Sequence, residues 1–137
     1  MDNFVNYLNE SLLFRNFIEV LGGLDNTLLL LVISLPIGFV LSLVFALGRV
    51  SKNKLISKTI ASYIFVIRGT PLLVQIYLIY FGLGSIKFIR DSFLWYLLEE
   101  PFWCGVLALT LNTVAYGSEI FRGGIQSITK GQIETGL

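Results

Sequence analysis

The chain has 137 residues, of which 55% are apolar and 14% charged, with a net charge of +1. Soluble domains carry about 25% charged residues, so the deficit points to a membrane protein. The near-neutral balance gives no basis for nucleic-acid binding, the lone Cys104 excludes an intrachain disulfide, and the lack of histidine removes the usual zinc clusters and the commonest general base.

Residues 1–25 are polar enough to lie outside the hydrocarbon, with Asp2, Glu10, Arg15, Glu19 and Asp25 among them. Phe4, Leu8, Leu12, Phe17 and Leu21 recur mostly at helical spacing, which predicts a short amphipathic helix on the membrane surface or on a partner. Asp2 stands where a signal peptide needs positive charge, so a cleaved leader is not the expected reading. Residues 26–48 are free of charge. As a helix they reach roughly 35 Å, enough to cross a hydrocarbon core of about 30 Å. Pro36 and Gly38 fall near the middle, where neighbouring helices in lipid re-satisfy the freed backbone.

Arg49, Lys52, Lys54 and Lys58 follow with no acidic residue among them. Short loops rich in Lys and Arg stay cytoplasmic, which puts the N-terminus outside. The second apolar block, 59–84, is interrupted by Arg68, Gly69, Thr70 and Pro71. A charge at mid-bilayer costs about 2.5–3.5 kcal/mol, so Arg68 belongs in the cytoplasmic half, snorkelling toward the headgroups or making a gating contact. The favoured geometry is one helix kinked at Pro71; a surface helix over 55–67 leading into a steep span is the other. Residues 86–100 balance their charges around Phe88, Phe93, Trp95 and Tyr96, as an external interfacial loop does. The third span, 101–121, contains Gly105, Thr110, Asn112, Thr113, Gly117 and Ser118, which suits a helix packed on other helices. Gly123 and Gly124 are expected to end or bend it.

Asn112 and Tyr116 share a helical face and are candidates for lining a substrate path, with interhelical hydrogen bonding as the equal alternative. Glu119 and Arg122 can pair across one turn. Gln75 and Tyr77 are further pathway candidates. No metal site is expected.

Three stretches resemble the permease subunit of binding-protein-dependent ABC importers, in the polar amino acid branch. Gly23-Leu24-Asp25-Asn26-Thr27-Leu28 is similar to the approach to that family's first conserved helix. Arg68-Gly69-Thr70-Pro71-Leu72-Leu73-Val74-Gln75, with Tyr80-Phe81-Gly82, resembles its second-helix signature. Leu111-Asn112, Ala115-Tyr116, Glu119 to Ile125 and Gly131-Gln132 resemble the run into its cytoplasmic EAA loop.

The resemblance implies an all-α integral membrane protein with three transmembrane helices (about 26–48, 59–84 and 101–121). These would be the N-terminal part of a type I (MetI-like) permease fold. Residues 1–25 would be an extracytoplasmic segment, and 26–137 an incomplete transmembrane domain ending in the start of a coupling loop at 122–137. Glu134 would be the Glu of the EAA motif, with Gly131 and Gln132 leading in. Thr135 and Gly136 replace its two alanines, the Gly at a cost of roughly 1 kcal/mol in helix propensity. The implied function is a permease without catalytic residues or cofactor of its own, in an ATP-driven importer for a polar amino acid. Its implied partners are an ABC ATPase that binds the ATP, a second permease subunit, an extracytoplasmic binding protein and the bilayer. The location implied is the bacterial cytoplasmic membrane, C-terminus inside. The family motif and two further spans extend past the equivalent of Leu137, so the chain resembles a truncated permease. The alternatives are a small non-transporting assembly or regulatory protein, or an ABC permease for another solute.

Overall fold

The computed structural model describes residues 2–127, with side chains placed over 12–127. The elements are α1 (Asp2–Gly22), α2 (Leu24–Arg49), α3 (Lys54–Arg68), α4 (Leu72–Tyr77) with a π-helical continuation (Leu78–Leu83), α5 (Lys87–Arg90), α6 (Phe93–Leu98) and α7 (Pro101–Ser127). Two stretches, Leu12–Arg49 and Pro101–Ser127, are each long and apolar enough to cross a bilayer. The broken pair Lys54–Arg68 and Leu72–Leu83 supplies a third crossing when taken as one span.

The expected N-terminal helix forms and is nearly continuous with the first span. Gly23 interrupts it for a single residue in right-handed backbone, φ −85° and ψ −8°, so α1 runs on into α2. The combined Leu12–Arg49 stretch counts 38 residues. That is about 57 Å of helix, well beyond one hydrocarbon thickness. Every described side chain of α1 is exposed, so this extension packs no apolar face of its own.

The core is the seam between α2 and α7. Leu30 meets Gly105, Gly38 meets Thr113, and Ser42 meets Gly117, so the contacts advance together and the two helices run in the same direction. On α2 the seam is Ser34, Gly38, Ser42 and Ala46, a small residue at every fourth position and each of them buried. Apolar burial gives little drive between helices in lipid, so tight van der Waals packing decides association, and small residues permit it. A Cβ on Gly38 would lie 2.7 Å from Thr113 Cβ, and one on Gly117 would overlap Ser42 Oγ. The Ser42 hydroxyl lies 2.7 Å from the Gly38 carbonyl and 3.1 Å from that of Thr113, sharing its proton between its own helix and α7. Facing outward from the same helix, Val32, Val40, Val44 and Leu47 stay exposed, as side chains in contact with lipid or a partner are.

A parallel pair needs the chain to return between its members, and α3 to α6 provide the return. Asn53 caps α3, its Oδ1 accepting from the backbone N–H of Leu55 at 2.9 Å and of Ile56 at 3.4 Å. The helix then crosses α7, where the Tyr63 hydroxyl donates to the Leu111 carbonyl at 2.6 Å. The break that follows is the main departure from the expected single kinked helix: α3 and the Leu72–Leu83 stretch lie at 106°. Pro71 is extended, with ψ of 140°, so it starts a new helix instead of bending the old one. The carbonyls freed at the end of α3 find their donor in Gln75, which is 6% exposed. Its Nε2 lies 2.7 Å from Ile67 O and 3.0 Å from both Thr70 O and Thr70 Oγ1. The geometry is thus closer to the second one the sequence allowed, a separate helix before the span. From there the chain runs back along α7, ending where Tyr80 and Phe81 share a cleft with Pro101 and Cys104.

The external-loop stretch forms the short helices α5 and α6, with Phe88, Phe93 and Tyr96 exposed. Its anchors to the rest are Trp95 against Gly84 and the buried Leu98, whose carbonyl accepts from Cys104 Sγ at 3.1 Å. At the other end, Gly123 and Gly124 do not stop α7, which continues to Ser127. Hydrogen bonds within the helix carry it through, Arg122 Nη1 to Gln126 Oε1 at 2.6 Å and Ser127 Oγ to Gly124 O at 2.8 Å.

Two measurements probe these contacts. Gly117→Val overfills the seam and should lower stability in detergent by about 1–3 kcal/mol, read as a lower unfolding midpoint, while Gly123→Ala, whose Cβ meets nothing, should not. Gln75→Leu strips the donor from the broken helix end and should cost about 1–2 kcal/mol. Asn112→Ala, which gives up one long 3.5 Å bond to Gln75, should cost visibly less in the same melt.

Candidate functional site

The candidate residues fall into two groups. The first surrounds the helix break. Gln75, expected as a pathway residue, is consumed by the end of α3 and by Asn112, whose Nδ2 reaches Gln75 Oε1 at 3.5 Å. Asn112 thus makes an interhelical contact. Gly69, Thr70 and Pro71 are the break itself, with Thr70 Oγ1 donating back to Val66 O at 3.0 Å. Tyr77 is half exposed and stacks on Phe81 at 5.7 Å.

The second group lies where α2 ends, α3 begins and α7 passes both. Residue spacing along α7 places Arg122 one turn beyond Glu119, and the two form a forked pair. Arg122 Nε lies 3.0 Å from each Glu119 oxygen and Nη2 lies 2.7 Å from Oε2. The parallel seam brings the last residue of α2, Arg49, to the same carboxylate, its Nε donating to Oε1 at 3.3 Å. Arg49 Nη1 also reaches Ser57 O at 3.4 Å and Ser57 Oγ at 3.3 Å, and the Ser57 hydroxyl donates to the Arg49 carbonyl at 2.9 Å. The three charged side chains keep only 19–27% of their exposure. Such shielding makes charge-assisted hydrogen bonds count for more than the same pairs do in water.

Beside this junction is a cleft of about 420 Å³ lined by Arg49, Arg68, Tyr116 and Glu119 together with Ala61, Ile64, Phe65 and Gly69. Arg68 stands over the Tyr116 ring with its guanidinium carbon 5.1 Å from the centroid, a cation–π contact. Two guanidinium groups line the cleft against one carboxylate, and that carboxylate is also held by Arg122. Its electrostatics therefore disfavour a cationic guest. Tyr116 and Glu119 both line this cleft, and both are engaged by arginines.

Arg49, Ser57 and Tyr63 were not picked out as site residues by the sequence. The first was legible only as one of four basic residues in a loop. Its acidic partner lies 70 positions away, and no local spacing links them. Gly131, Gln132, Glu134, Thr135 and Gly136 lie outside the described residues. Among the described residues, no cluster of His, Cys, Asp or Glu is arranged to hold a metal ion.

Comparison with known proteins agrees with this architecture. The chain is 48% identical over 128 residues to the nopaline transport system permease protein NocM of Agrobacterium fabrum, covering 93% of this chain and 53% of that protein. With the arginine ABC transporter permease protein ArtM of Haemophilus influenzae it shares 41% over 124 residues, covering 90% and 55%. With the histidine/lysine/arginine/ornithine transport system permease protein HisM of Escherichia coli K12 it shares 45% over 113 residues, covering 82% and 48%. The chain thus spans about half the length of the curated relatives it matches. A crystal structure of an amino acid ABC transporter with histidines superposes with a TM-score of 0.72 at 40% identity, over 90% of this chain and 53% of that one. The profile of the binding-protein-dependent transport system inner membrane component family matches residues 17–137, and the chain belongs to that family.

Proposed function

We propose that this chain serves in the permease subunit of an ATP-driven importer for polar amino acids, those with cationic side chains foremost. The observation that carries the reading is the family match over 17–137, joined to relatives whose names specify arginine, histidine, lysine and ornithine. The permease has no catalytic step of its own. A partner ATPase binds and hydrolyses ATP, a second permease subunit completes the pathway, and an extracytoplasmic binding protein delivers the substrate.

The proposed placement is the bacterial cytoplasmic membrane with the N-terminus outside. Arg49, Lys52, Lys54 and Lys58 at the end of α2 support the assignment of that end to the cytoplasm. The parallel direction of α2 and α7 supports assigning Arg122 to the same side. Residues 122–137 accordingly begin a coupling loop, in which Gly131, Gln132, Glu134, Thr135 and Gly136 meet the ATPase. Closure of the ATPases on ATP moves that loop, and the helices switch between inward-facing and outward-facing arrangements.

The test is uptake of labelled arginine, histidine, lysine and ornithine into liposomes containing the full-length subunit with its ATPase, second permease and binding protein. ATP-dependent uptake of at least one is expected, reduced by Glu134→Ala. Uptake of none, or uptake indifferent to ATP, contradicts the assignment.

A further inference from the structure

The last two turns of α7 stand almost free of the bundle. Ile120 is 73% exposed, and Gly123, Gly124, Ile125, Gln126 and Ser127 are all exposed. A Cβ at Gly123 or Gly124 would meet nothing. Two links tie this end to other helices. One is the edge contact of Phe121 with Phe39 of α2, ring centroids 5.2 Å apart. The other is the forked carboxylate of Glu119, which holds Arg122 on its own helix and Arg49 on α2. The aromatic contact prefers its edge-to-face geometry but is weak, whereas a forked guanidinium–carboxylate pair makes charge-assisted hydrogen bonds of fixed geometry.

Arg49 passes the constraint on. Its other arm grips Ser57 in the first turns of α3, a turn already fixed by the Asn53 cap. At the far end of α3, Arg68 covers Tyr116 of α7 and the break at 69–71 leads into α4. A displacement at the end of α7 thus has a continuous path of directional contacts into the start of α3.

We propose that Glu119 is a positioning residue whose two-armed ion pair transmits displacement of the Ser127 end of α7 to the junction of α2 and α3. This rests on the permease reading, since it assigns that end to the ATPase-facing loop. It assigns Glu119 no contact with substrate, consistent with the arginines that occupy it.

The experiment compares the reconstituted full-length transporter carrying wild-type subunit, Glu119→Gln, Arg49→Gln or Arg15→Ala, measuring uptake per ATP hydrolysed of whichever of arginine, histidine, lysine and ornithine the wild type carries best. Glu119→Gln disarms both arms; Arg49→Gln cuts only the link to α2 and leaves the pair with Arg122. Both should assemble and hydrolyse ATP while the transport-to-hydrolysis ratio falls about fivefold or more, the low end of coupling between distinct sites. Arg15→Ala, on the exposed part of α1, should keep the wild-type ratio. Wild-type ratios in both test variants, or failure of both to assemble, overturns the transmission role. A wild-type complex that takes up none of the four amino acids on ATP addition sinks the permease reading itself, and the role of Glu119 with it.

Discussion

The structure depends on how closely α2 and α7 approach each other. In lipid, two apolar helices gain little by meeting unless their backbones come near enough for dense packing and shared hydrogen bonds. Ser34, Gly38, Ser42 and Ala46 provide that approach on one side, with Gly117 as the matching gap on the other. The Arg49–Glu119–Arg122 junction is positioned by this seam. Because the pair is parallel, the C-terminal end of α2 and the Glu119 turn of α7 arrive at the same place, and Arg49 finds a carboxylate that no sequence neighbour offers.

The return path shows how the chain accommodates a break without leaving polar groups orphaned. Pro71 cannot donate a backbone hydrogen bond, and the helix before it ends with free carbonyls. Buried carbonyls need a donor, which the protein itself can provide here. Gln75 supplies it from one turn into the next helix, and Thr70 adds a hydroxyl. Among the described residues, no buried side-chain nitrogen or oxygen lacks a hydrogen-bond partner.

Much of this was legible in the residues. The charge-free run ending at Gly48 marks a membrane span because length and hydropathy act locally. The Glu119–Arg122 pair is legible because helical spacing alone sets it. Other features depend on partners that the sequence leaves far apart. The four-residue spacing of Ser34, Gly38, Ser42 and Ala46 is visible, yet serines in an apolar span read as tolerated exceptions until a facing glycine is known. Arg49 reads as one loop cation among several, because Glu119 is distant in sequence. The 106° break is a difference of degree that Arg-Gly-Thr-Pro cannot specify without Gln75 in place. The two glycines after Arg122 predict an ending, but hydrogen bonds within the helix outweigh a propensity cost of about 1 kcal/mol each.

The central claim is that α2 and α7 form one rigid parallel unit, so that work done at the end of α7 is felt by α2. Spin labels at Val44 on α2 and Ile120 on α7, both exposed, report it directly through their mutual distance in the assembled transporter. A single narrow distance distribution, unchanged between nucleotide-free and ATP-trapped states, is the predicted result. A second or displaced population on trapping would show that the seam slides, and would contradict the account.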